Sequence, residues 1–69
     1  MFHYYIIFWY YDNINRCKIK RTYRILFDFN KYKIDLEEVR NHFIDDLLYE
    51  MKFAKATKYY IQKSGILPD

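Results

Sequence analysis

The chain contains one glycine, one proline and one cysteine. A single glycine excludes the glycine-rich loops whose bare amides cradle phosphates in nucleotide-dependent enzymes. A single cysteine excludes an internal disulfide, and no Cys/His set has the spacing of a structural zinc site. A lone thiol is the pattern of a reducing compartment. Nucleophilic catalysis also lacks its parts. No Ser or Thr has a histidine near it in the sequence, and Cys17 falls on an apolar strand face, where a thiol stays protonated and inert. Acids are scarce early on: only Asp12 and Asp28 stand among residues 1–34. Repeats, linkers and low-complexity segments are missing too. These gaps leave no enzyme class supported, and the expectation is no catalytic residue, no metal and no cofactor.

Aromatic and β-branched residues fill the space, with nine Tyr and six Phe in 69 residues. That length makes residues 1–69 one domain, near the lower limit for folding without staples. Phe, Tyr, Ile, Asn and Lys are the residues of AT-rich codons, which suggests a phage, virus or mobile element as source. Residues 1–34 carry seven Lys/Arg against two Asp, a net charge of +5, and residues 35–69 carry five against seven acids, a net of −2. Positive potential therefore belongs to the first half.

The opening run FHYYIIFWYY is apolar, yet it is about half the ~20 residues a spanning helix needs. It also lacks a basic leader and a small-residue cleavage site. No membrane association is expected, and the location follows as the cytoplasm, that of the host cell for a viral protein. The run reads as a strand over residues 2–11. Asp12, Asn13, Ile14 and Asn15 form the turn, and residues 16–29 form a second strand with strict alternation. Pairing Tyr10 with Cys17 and Phe8 with Ile19 brings Phe2, Tyr4, Ile6, Phe8 and Tyr10 to a core face, with Arg21 the one misfit. In that register residues 26–30 overhang the first strand.

Residues 36–63 read as one helix. Asp35 is the N-cap, Glu38 completes a capping box, and Ile34 with Val39 has the spacing of a hydrophobic staple. Gly65 and Ile66 fit a Schellman C-cap with Ile61, and Pro68 prevents continuation. Leu36, Val39, Phe43, Leu47, Met51, Ala54 and Ile61 form one apolar stripe, and His42, Tyr49, Phe53, Ala56 and Tyr60 a second. The expected fold is α+β: a two-stranded antiparallel hairpin packed on one long helix (ββα), with ββαβ as the alternative if residues 58–62 form a third strand. Such a helix spans ~42 Å at ~1.5 Å per residue and outruns a hairpin of ~33 Å. The uncovered stripe and the overhang then call for completion by oligomerisation, a homodimer being the simplest case.

Two surfaces emerge. On the open strand face His3, Tyr5, Trp9 and Tyr11 interleave with Arg16, Lys18, Lys20 and Arg24, a pattern suited to base stacking with phosphate pairing or to a protein interface. On the helix, His42, Tyr49, Phe53 and Tyr60 make the expected interface. Glu38, His42 and Asp45 or Asp46 share a helix face, but acids in a first helical turn also serve the dipole, and three helical residues lack a fourth ligand. The leading reading is a non-enzymatic interaction protein, phage- or virus-encoded, that binds and inhibits a host protein, defence-related or otherwise, or a nucleoprotein complex. The alternative is a nucleic-acid-binding regulatory protein using the basic aromatic sheet face.

Overall fold

The computed structural model of the chain describes residues 1–28, 30–31 and 33–68. Its elements are β1 (Phe2–Asp12), β2 (Cys17–Phe27), α1 (Leu36–Phe53) and β3 (Tyr59–Pro68). The fold is α+β, with three antiparallel strands in the order β2-β1-β3 and one helix crossing between the two outer strands. Alternation along β1 explains the arrangement. Tyr4, Ile6, Phe8, Tyr10 and Asp12 are buried, while the residues between them are not. Leu47, Met51 and Ala54 close over them from the helix side, joined by Phe27 from β2. Ile6, Phe8 and Leu47 have no exposed surface. Burying side chains of this size contributes roughly 1.5–3 kcal/mol each. Rings fill the space between: Phe43 stacks on Tyr4 at 6.0 Å and on Tyr23 at 5.5 Å, and Phe8 meets Tyr23 and Tyr59 edge-on at 5.8 Å.

The ββαβ alternative is therefore the architecture, and the expected helix over residues 36–63 is corrected to Leu36–Phe53. Its N-cap is as anticipated, although the Glu38 side chain does not bond back to the Asp35 amide to close the expected capping box. The Asp35 carboxylate accepts from the Glu37 and Glu38 amides at 3.0 and 3.2 Å, and Ile34 and Val39 both pack against the core. Its end is not. The Lys55 amide donates to the Lys52 carbonyl (3.3 Å) and the Ala56 amide to the Met51 carbonyl (3.0 Å), with Lys55 at φ 51°. That is a Schellman motif with lysine in the left-handed position, ten residues before the glycine expected to fill it. The hairpin turn reinforces the stop. Asn13 donates its backbone amide to the Ala54 carbonyl at 2.9 Å and its side-chain amide to the Lys55 carbonyl at 2.7 Å. At ~1.5 Å per residue the real helix is ~27 Å long and does not outrun the strands.

Gly65 is a strand residue opposite Tyr5, with no left-handed conformation. A Cβ there would lie 3.4 Å from the Tyr5 ring, an ordinary contact, so the site does not require glycine. The sheet register also differs, by two residues. Asp12 pairs with Cys17 and Phe2 with Phe27, leaving Asn13 to Arg16 as the loop. The cause is Asp12. Its carboxylate accepts from the Ile14 and Asn15 amides and the Asn15 side chain, all within 2.8–2.9 Å, which ends β1 at Asp12 instead of starting the turn there. These bonds hold the Asp12 carboxyl below its ordinary range. A shift of two preserves both faces. It also pairs Leu26 and Phe27 with His3 and Phe2, which removes the expected overhang. Phe29, expected to end the second strand, lies outside the described residues. Cys17 is exposed rather than in the core, because the packed part of β2 begins at Ile19.

Arg21, the misfit on the core face, reaches the helix. Its Nε donates to both Glu50 carboxylate oxygens at 2.8 and 3.0 Å, and the Tyr10 hydroxyl donates to Glu50 Oε2 at 2.8 Å. Burial, then the hydrogen bond to Glu50 and its charge, push the Tyr10 pKa up to about 12. Burial and the Glu50 and Asp46 charges raise Tyr23 as well.

These contacts generate three predictions. Lys55→Gly should raise stability by roughly 0.5–1 kcal/mol, since the left-handed residue loses its Cβ penalty. Gly65→Ala should cost nothing measurable; a loss near 1 kcal/mol on urea unfolding would return the helix cap to Gly65. For Tyr10, the folded state holds a proton that the unfolded chain releases above about pH 10. Stability is thus complete below that pH and falls as pH rises through the folded value of about 12. Tyr10→Phe should cost about 1 kcal/mol at neutral pH and flatten the alkaline limb, as read by unfolding curves at stepped pH.

Candidate binding surface

One helix covers one face of the sheet. The other presents His3, Tyr5, Ile7, Trp9 and Tyr11 along β1, beside Lys18, Lys20, Thr22 and Arg24 on β2. The third strand adds residues that sequence reasoning did not place here. Tyr60 lies opposite Trp9, Lys63 opposite Ile7, Gly65 opposite Tyr5 and Leu67 opposite His3.

A β-bulge makes this set possible. Pairing jumps from Phe8–Ile61 to Ile7–Lys63, so Gln62 is the extra residue. Without it, the alternation of β3 would carry Lys63 to the helix side and Ile66 to the open side. With it, Lys63 joins the cations of β2 across an aromatic central strand. Gln62 also accepts a hydrogen bond from the Trp9 indole nitrogen. The pairing fixes which edge of the indole ring is held by protein.

Electrostatics on this face are one-sided. Lys18, Lys20, Arg24 and Lys63 stand here, and none of its described residues is Asp or Glu. The acids lie across the molecule on α1, where Glu37, Glu38, Asp45, Asp46 and Glu50 outnumber Arg40 and Lys52. Two open depressions cross the face. One, of about 300 Å³, is lined by His3, Tyr5, Ile7, Thr22, Arg24 and Leu67. The other, of about 360 Å³, wraps the far end of the sheet, between Trp9, Tyr11, Lys18, Lys58 and Tyr60 on one side and Tyr10 and Tyr59 on the other. Each places aromatic surface beside a cation.

The expected site residues divide as follows. His3, Tyr5, Trp9, Tyr11, Lys18, Lys20 and Arg24 are brought together on the open face, while Arg16 sits in the turn at φ 56°. The expected helix interface is split. Tyr60 belongs to β3 on the sheet side, a correction that follows from the early helix stop. Tyr49 and Phe53 remain paired on the outer helix surface, edge-on at 5.3 Å and 63% and 71% exposed. His42, further toward the helix start, has its Nε2 3.9 Å from Glu38 Oε1. Among the described residues no group of three or more His, Cys, Asp and Glu side chains is arranged to hold a metal ion. No helix among them is long and apolar enough to cross a membrane.

Comparison with protein families, curated proteins and solved structures gives no match for this chain.

Trp9 is the only tryptophan and so reports on this face directly. Gln62→Ala should free its indole, raising acrylamide quenching and red-shifting emission, while the unfolding midpoint moves little. Unchanged quenching would mean that Gln62 does not hold the ring.

Proposed function

We propose that this chain is a non-enzymatic binding protein whose open sheet face holds single-stranded nucleic acid. The observation that carries the reading is the acid-free face itself, where aromatic rings on the central strand lie between cations on both outer strands. Bases need flat apolar surface and phosphates need positive charge, and a sheet face supplies both at spacings of ~5–7 Å. Rings on a flat sheet can stack only on bases that are already unstacked, so single strands are favoured over a duplex. No catalytic role is assigned to any residue of the face.

A second reading keeps the partner a protein, with the chain blocking a host protein or nucleoprotein complex. The exposed Tyr49–Phe53 pair with Leu48 favours it, because ring pairs of this kind anchor protein interfaces.

Titration of oligothymidylate against Trp9 fluorescence tests the first reading. Binding should quench the indole and weaken with salt at a log–log slope of about −3, from four cations at ~0.7 each. Lys20→Ala with Arg24→Ala should lower that slope by about 1.4, and Trp9→Ala should cost roughly 1–3 kcal/mol, read by anisotropy. Tyr49→Ala with Phe53→Ala should leave binding unchanged. An absence of quenching, or affinity indifferent to salt, would remove the nucleic-acid reading.

A further inference from the structure

We propose that the free edge of β2 is a docking site for an extended acidic segment of a partner protein, which adds to the sheet as a fourth strand. The site is the strand's backbone edge, and the inference does not rest on the nucleic-acid reading of the face.

Among the described residues, neither outer strand of the β2-β1-β3 sheet has a second strand on its far side. Edges of this kind invite pairing with other chains unless something interrupts them. Along β3 the interruptions are present: the bulge at Gln62, then Gly65, then Pro68. Along β2 they are not. Its eleven residues pair with β1 in unbroken register and include neither glycine nor proline.

What guards β2 is charge of one sign. Arg16, Lys18, Lys20, Arg21 and Arg24 fall within residues 16–27 with no acid among them. Arg21 is answered by Glu50. Lys18, Lys20 and Arg24 carry no ion pair among the described residues. The same charges select the occupant. A second copy is disfavoured, because two-fold pairing centred on Thr22 sets Lys20 opposite Arg24 twice, and like charges directly opposite destabilise a sheet. An incoming strand would meet Lys18, Lys20 and Arg24 on the open side. On the helix side it would meet the half-buried Ile19, Tyr23 and Ile25. The complement is a segment with acids at every second position and apolar residues between them. Over Lys18 to Arg24 such a segment runs ~24 Å, at ~3.4 Å per residue. Its backbone would supply the bonding and its alternation the specificity.

The experiment uses the wild-type chain and a peptide alternating Glu with Val, followed by calorimetry and by amide exchange. Two further peptides carry N-methyl groups on the odd or on the even amides. A strand beside β2 turns one set of amides toward it and the other away. One methylated peptide should therefore lose roughly tenfold or more in affinity, and the other should bind like the parent. Amides of β2 should gain exchange protection, with those of β3 unchanged. If both methylated peptides match the parent, the attraction is charge alone and the edge site is overturned. Failure of the parent peptide to bind overturns it equally, and oligothymidylate binding in either case leaves the face reading standing.

Discussion

The structure depends on the burial of one side of β1 beneath one helix. In the order β2-β1-β3 this is the strand with partners on both sides, so its backbone is satisfied by ladders and its even-numbered side chains by α1. Everything else is placed relative to it. Because side chains alternate along a strand, burying Tyr4, Ile6, Phe8 and Tyr10 forces His3, Tyr5, Ile7, Trp9 and Tyr11 outward together. The chain has one helix among its described residues, and that helix is occupied. An aromatic open face is thus a consequence of the core, without any separate element to build it.

Local chemistry made much of this readable in the residues alone. The alternation of the first two strands, the Asp35 cap and six members of the main helix stripe all lie within a few positions of their causes, and all are found in place. What was not readable lay at a distance. The helix ends at Phe53 in a Schellman motif, and the hairpin turn holds that end by bonding to the Ala54 and Lys55 carbonyls, a contact across more than forty residues. A lysine fills the left-handed position, where a glycine is the usual sign. Gly65 and Pro68 then mimicked a helix end while belonging to an edge strand. Register failed by two residues for a related reason: the Asp12 carboxylate bonds forward to Ile14 and Asn15, which shifts the turn without changing any face. The seven face residues that held their place did so because an even shift cannot move them. Tyr60 was misplaced because the helix was read too long, and Lys63 could not be placed, since a bulge leaves no mark in the sequence.

Arg21 shows how a misfit becomes a positioning contact. The pair with Glu50 is about half exposed on the arginine side and a third on the glutamate side, so its contribution to stability is small, about 0–1 kcal/mol. The Tyr10 hydroxyl changes its meaning. A buried phenol needs a partner, and leaving one unsatisfied costs roughly 1–3 kcal/mol. Glu50 is that partner, and Arg21 holds Glu50 in place from β2. The contact ties the last turns of α1 to two strands at once.

Charge is segregated between the two faces of the molecule, with acids on the helix and cations on the open sheet. The net charge of +3 understates this. No principal extent of the molecule is below 13 Å, whereas charges in physiological salt are screened over ~8 Å. An anionic partner approaching the sheet therefore meets the local field of Lys18, Lys20, Arg24 and Lys63 with little opposition from the acids behind it. Approach to the helix side is governed by carboxylates and by Tyr49 and Phe53. The two faces act as electrically separate surfaces. That separation lets so short a chain present a cationic aromatic surface and an acidic one, with a single buried strand between them.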